Sequence, residues 1–131
     1  MVKQPSRCRH PRGFTLIELL VVLSIVALLL TLALPRYFGA VDKSKTLVLK
    51  ENLRSIRVCI DRYYADRGAY PESLAELVEL RYLKSIPVDP VLDSDQQWVL
   101  IPPDTRERGH VADVKSGASG NAPDGEPYAS F

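Results

Sequence analysis

The sequence predicts an α+β chain in which one long N-terminal helix, half membrane-spanning and half amphipathic, packs on a small antiparallel sheet of two to three strands. Three observations lead there. Residues 14–34 are apolar apart from Thr15, Glu18, Ser24 and Thr31. Leu49, Leu53, Ile56, Ile60 and Tyr63 or Tyr64 then recur at steps of three and four, the spacing of one helix face. Two short β-prone runs, Gln97–Ile101 and Gly109–Val114, follow late in the chain.

At 1.5 Å per helical residue, the stretch from Phe14 to Leu34 spans roughly 31 Å, one bilayer crossing. Leu19–Leu30 is apolar all round except for Ser24, the pattern of a helix solvated by lipid. A cleaved secretory signal also couples a basic stretch to an apolar one. This run is long for that role and carries Glu18 near its start, and no small-x-small site followed by a polar mature start comes after it, since Thr31-Leu-Ala-Leu-Pro-Arg-Tyr-Phe continues into helix-compatible sequence. Ahead of it lie Lys3, Arg7, Arg9 and Arg12 with no acidic residue. Positive charge on a short flank places that flank in the cytoplasm and the bulk of the protein outside. The chain thus divides into a leader, 1–13, a transmembrane helix, 14–35, and one small domain, 36–131, since 131 residues leave no room for a second.

Glu18 needs a reason. A carboxylate within a membrane helix costs on the order of 2–3 kcal/mol on insertion scales and marks a functional candidate. Arg12 at the membrane surface is one partner for it. A cut after Gly13 creates another, because the new α-amine of Phe14 lies one helical turn away and pairs within one chain or between two helices packed side by side. The alternative is a glutamate snorkelling to the headgroups.

Gly13-Phe-Thr-Leu-Ile-Glu18 followed by an apolar run resembles the class III signal of type IV pilins and type II secretion pseudopilins. The resemblance implies a pilin-like fold and cleavage by a prepilin peptidase on the cytoplasmic side, between Gly13 and Phe14, with N-methylation of Phe14. It also places the family's assembly glutamate on Glu18.

Pro35 is expected to end or kink the membrane helix, and Gly39 adds a second soft point. The amphipathic half follows to Tyr64, and a helix continuous from Phe14 to Tyr64 would be about 77 Å long. Gly68 suits a helix C-cap and Pro71 opens the next element. Ser73-Leu-Ala-Glu76 has capping-box spacing, so a short helix from Ser73 to about Leu80 should bury Leu74, Leu77 and Val78. Ile86-Pro-Val-Asp-Pro90 should run extended. Pro102-Pro103 stops the first strand, and Val111, with Ala112 or Val114, should face inward from the second. Lys115–Pro127 reads as a Gly/Ser/Ala/Asp-rich loop, and the aromatic tail Tyr128–Phe131 should dock back on the domain.

Beyond the membrane helix the chain is similar to the G-class major pseudopilins of type II secretion in ordered fragments: Pro35-Arg-Tyr-Phe, Asp42-Lys-Ser-Lys, Gly68-Ala-Tyr-Pro, Tyr82-Leu-Lys and Pro87-Val-Asp-Pro90. It departs after Pro90, where that class has Trp-Gly-Asn and this chain has Val91-Leu-Asp93. Its C-terminal loop is also less acidic than the calcium loop of that class. Oxygen donors for calcium are Asp113, Asn121 and Asp124, but no EF-hand spacing is present, and Gly, Asn and Asp are also what any exposed turn uses. No cofactor is required. Cys8 would leave with the leader, so Cys59, at an apolar helix position, reads as a small buried hydrophobe with no disulfide partner. Many type IV pilins close a C-terminal loop with a cysteine pair, so its absence favours the pseudopilin branch.

Enzyme chemistry finds no footing. His110 is the one histidine outside the leader, and Gly117 and Gly120 lack the Lys-Ser/Thr of a phosphate cradle. Asp61 and Asp66 beside Arg57 and Arg62 form a solvated charged face. The near-neutral remainder offers no basic patch for nucleic acid. The expectation is a non-enzymatic structural subunit of a type II secretion pseudopilus, single-pass in the bacterial inner membrane with its C-terminal domain periplasmic. Its filament would drive export of folded proteins across the outer membrane. Its partners would be prepilin peptidase, other pseudopilins and the inner-membrane assembly platform. The alternative is a minor type IV pilin or a membrane-anchored periplasmic binding module. Intact mass from cells containing the peptidase should show loss of residues 1–13 and gain of one methyl, and Gly13→Asp should leave the precursor uncut; a mature start elsewhere, such as after Ala33, refutes this processing.

Overall fold

A computed structural model describes residues 13–131 as one long helix, one short helix and a two-stranded sheet, the expected α+β architecture. Helix α1 spans Leu16–Arg67. Pro35 lies inside it and does not end it: one missing N–H is a local defect that the intact flanking turns carry. The helix stops at Gly68, whose φ of +66° is the left-handed conformation of a C-terminal glycine and whose N–H donates to the Tyr64 carbonyl at 2.8 Å. The described chain divides into two compact units that part between Tyr37 and Phe38.

In the second unit, the α1 face Thr46, Leu49, Leu53, Ile56, Cys59, Ile60 and Tyr63 is buried. Of the two tyrosines at the end of the stripe, Tyr63 enters the core and Tyr64 is half-buried. Helix α2, Leu74–Glu79, contributes Leu74 and Leu77 to the same core, with Val78 only partly buried against it. Ser73 caps α2, its Oγ accepting from the Glu76 N–H at 3.2 Å. The reciprocal half of the expected box differs: Glu76 Oε2 accepts from the N–H of Glu72 at 2.7 Å, while Oε1 accepts from the Tyr63 hydroxyl at 2.8 Å. One carboxylate therefore caps α2 and ties it to α1.

Strands β1, Trp98–Ile101, and β2, Asp113–Ser116, pair antiparallel with Trp98 opposite Ser116 and Ile101 opposite Asp113. The second strand lies later than the expected 109–114, and Lys115 and Ser116 belong to it rather than to the loop. The reason is tertiary. Residues 109–111 are held by the 70–71 turn: Tyr70 N–H donates to the Arg108 carbonyl, and the N–H groups of His110 and Val111 both donate to the Pro71 carbonyl. Gly109, at φ +105°, lies so close that a Cβ would stand 2.1 Å from the Tyr70 carbonyl oxygen, an approach only glycine permits. Val111 and Val114 are fully buried.

The segment 86–90, expected to run extended, is non-helical, with an isolated bridge from Asp89 to Ser94 and a turn beginning at Pro90, and it is pinned at three points. Asn52 Nδ2 donates to the Val88 carbonyl at 2.9 Å and Trp98 Nε1 to the Pro87 carbonyl at 3.0 Å. Asp89, wholly buried, accepts from the Ser116 hydroxyl and from the N–H groups of Val91 and Leu92. The tail forms a 3-10 turn, Tyr128–Ser130, and docks with Tyr128 and Phe131 buried edge to face.

The Glu72 N–H, and next the Tyr63 hydroxyl, hold the Glu76 carboxyl below its ordinary pKa. A depressed carboxylate contributes stability that is present above the unfolded value, near 4.3, and is lost as pH falls through the folded one. Urea unfolding of Glu76→Gln should show a deficit of about 1 kcal/mol at pH 7, closing at pH values below that folded pKa; an equal deficit at both extremes would contradict the charged cap.

Candidate assembly and processing site

Thr15 starts α1 as its cap, its Oγ1 accepting from the Glu18 N–H at 3.3 Å and its carbonyl from the Leu19 N–H at 3.2 Å. Glu18 thus sits at the third helical position, where a carboxylate meets the positive end of the helix dipole. The Thr15-x-x-Glu18 spacing was available in the sequence as a helix-start signal. It supplies a local preference for an acid at this place.

The side chains that follow leave an apolar surface entirely uncovered. Phe14 is 85% exposed and Leu34 50%, and no residue between Gly13 and Ala40 is buried. This is the one described helix long and apolar enough to cross a membrane. Its hydroxyls make no demand on that surface. Ser24 Oγ donates to the Leu20 carbonyl at 2.8 Å and Thr31 Oγ1 to the Ala27 carbonyl at 2.9 Å, so both are satisfied within the helix. Among the described residues, the Glu18 carboxylate has no cationic partner. Gly13 and Phe14 precede the first turn, exposed and without regular structure. Arg12 lies outside the described residues.

The three oxygen donors named for calcium are placed differently. Asp113 Oδ1 is 2.7 Å from Arg57 Nε and also accepts from the Val114 N–H. Asp124 Oδ2 is 3.9 Å from Lys50 Nζ, and its Oδ1 caps the Glu126 N–H at 3.1 Å. Asn121 is exposed and forms an isolated bridge with Pro127. Among the described residues no three His, Cys, Asp or Glu side chains gather as metal ligands. Each of the two carboxylates already faces a cation of the chain itself, so this donor set, as arranged, does not fit a divalent ion.

A helix long and apolar enough to cross a membrane, with an exposed start and a Glu18 that faces no cation among the described residues, followed by a small α+β domain, is the pattern of pilin-like structural subunits. The pattern described as the prokaryotic N-terminal methylation motif matches residues 8–34. A type II secretion system core protein G of Pseudomonas aeruginosa is 34% identical over 98 residues, covering 63% of this chain and 69% of that protein. The protein of the same name from Escherichia coli is 30% identical over 95 residues, covering 60% and 66%. The type IV wide pilus major component PilA4 of Thermus thermophilus is 33% identical over 81 residues, covering 62% and 61%. The chain belongs to the type II secretion system core protein G family, and its role is that of a membrane-anchored structural subunit. No solved structure matches it.

Cys59 is the buried free thiol of the described chain, its Sγ donating to the Tyr82 carbonyl at 2.9 Å. Burial raises its pKa, with the Arg62 charge opposing in part, so little thiolate forms near neutrality. Alkylation of the folded protein at pH 8 should be at least about tenfold slower at Cys59 than in urea; equal rates, read by mass spectrometry, would show an open thiol.

Proposed function

We propose that this chain polymerises through helix 14–35 into a type II secretion pseudopilus whose growth drives folded proteins across the outer membrane. In this reading prepilin peptidase cuts between Gly13 and Phe14 and methylates Phe14. The mature subunit waits in the bacterial inner membrane, N-terminus cytoplasmic and residues 36–131 periplasmic. The inner-membrane assembly platform then adds it to other pseudopilins. The basic leader residues Lys3, Arg7, Arg9 and Arg12 support that orientation.

The observation that carries the proposal is the bare apolar surface of residues 14–34, in which Glu18 is the one carboxylate and has no cationic partner among the described residues. Cleavage creates a positive α-amine at Phe14, one turn from that carboxylate. Within lipid their attraction is weakly screened, so a subunit at the filament base captures a newcomer whose Glu18 meets its Phe14. The apolar flanks lose little by leaving lipid for one another, because packing replaces acyl chains with side chains of equal polarity. A type IV pilus subunit is the second reading, supported by the likeness to PilA4; isolating the filament that a tagged subunit joins separates the two.

Glu18→Leu should be cleaved and inserted normally, since it makes the helix more apolar. It should nonetheless reduce crosslinking between cysteines placed on neighbouring helices, and secretion of a reporter substrate, by about tenfold or more. Glu18→Asp, one methylene shorter, should retain part of both. Wild-type crosslinking and secretion in the Leu variant would mean that Glu18 only snorkels.

A further inference from the structure

The C-terminal loop is folded by its own backbone. The N–H of Ala122 donates to the Glu126 carbonyl at 2.8 Å, that of Gly125 to Ala122 at 2.9 Å and that of Tyr128 to Gly120 at 3.1 Å. Ala118, Ala122, Tyr128 and Phe131 are buried beneath it. This arrangement leaves two carboxylates, Asp124 and Glu126, on the side facing α1. There Lys50 meets both: its Nζ is 3.2 Å from Glu126 Oε2, 3.9 Å from Asp124 Oδ2 and 4.2 Å from the centre of the Phe131 ring. Two helical turns further along the same face, Arg57 holds β2 in a like manner, its Nε on Asp113 and its Nη2 donating to the Val114 carbonyl at 2.9 Å.

We propose that Lys50 is the built-in cation that closes the C-terminal loop of this chain, so that the folded loop needs no divalent ion. A lysine ammonium is a compact point charge with three donors, and here it faces two carboxylates and an aromatic ring, whose negative face attracts cations. A calcium ion would need six to eight oxygens at the same place. The loop offers it two carboxylates that already have a counter-charge. Asp113, the remaining carboxylate among the donors named from the sequence, is committed to Arg57. The charge that a bound metal would bring from solution is carried by α1, and loop closure is tied to the helix rather than to the ion content of the compartment.

The test uses the full chain in detergent, with calcium chloride at millimolar concentration or a chelator. Melting and protease cleavage within 117–127 are the readouts. The wild type should melt at the same temperature in both conditions, within about 1 °C, whereas a site that bound calcium only when folded would raise it. Lys50→Met keeps the apolar stem over Phe131 and removes the charge. It should melt lower by roughly 3–6 °C, be cleaved faster in the loop, and acquire a rise in melting temperature with calcium, because Asp124 and Glu126 have then lost their cation. Lys50→Arg should behave as wild type. Glu126→Gln, exposed and outside the core, should reproduce the faster cleavage from the loop side. A calcium-dependent rise in the wild type, or a Lys50→Met protein as stable and as protease-resistant as the wild type, would overturn the proposal.

Discussion

The domain depends on one buried stripe, Thr46 to Tyr63, on a single helix face. Leu49, Ile56 and Ile60 have no exposed surface and Leu53 almost none. Removing each from water is worth about 1.5–3 kcal/mol. Two strands alone are marginal in water; here Val114 and Trp98 share a core with that stripe. The polar ties of the domain radiate from the same stretch of α1. Lys50 reaches the C-terminal loop, Asn52 the extended segment, Arg57 strand β2, Cys59 the Tyr82 carbonyl and Tyr63 the cap of α2.

The loops between the elements are ordered by buried acceptors rather than by regular structure. The Pro71 carbonyl takes two N–H groups, and Asp89 takes two N–H groups and a hydroxyl. Buried polar groups are tolerated when every oxygen is satisfied, and no described buried side-chain polar atom lacks a partner. The fragment Pro87-Val-Asp-Pro90 thereby acquires a physical meaning. Its prolines keep the chain out of a helix, and its aspartate joins that chain to the end of β2.

The same economy of polar groups governs the N-terminal segment, with the opposite outcome. Ser24 and Thr31 return their hydroxyls to the helix backbone, while the Glu18 carboxylate does not find a cation there. Among the described residues, every buried side-chain polar atom of the domain has a partner, whereas within the apolar stretch of the helix the Glu18 carboxylate faces no cation.

Much of this was legible in the residues. The apolar run with Gly13, Phe14 and Glu18 identified the membrane helix and the family signal, because lipid solvation and a class III signal are both local patterns. The three-and-four spacing located the buried stripe, and Gly68 marked the helix end through its freedom at positive φ. What the sequence by itself determined is therefore whatever follows from periodicity and local backbone preference. The tertiary structure alone decided the rest. The place of β2 follows from the Pro71 carbonyl and the glycine contact at Tyr70, partners about forty residues distant and invisible to any local rule. The fate of Asp113 and Asp124 was likewise undecided in the sequence, where an aspartate in a Gly-rich loop suits a metal or a turn equally. Folding brings Arg57 and Lys50 of α1 against them, and a charge follows the nearest opposite charge in space, not in sequence.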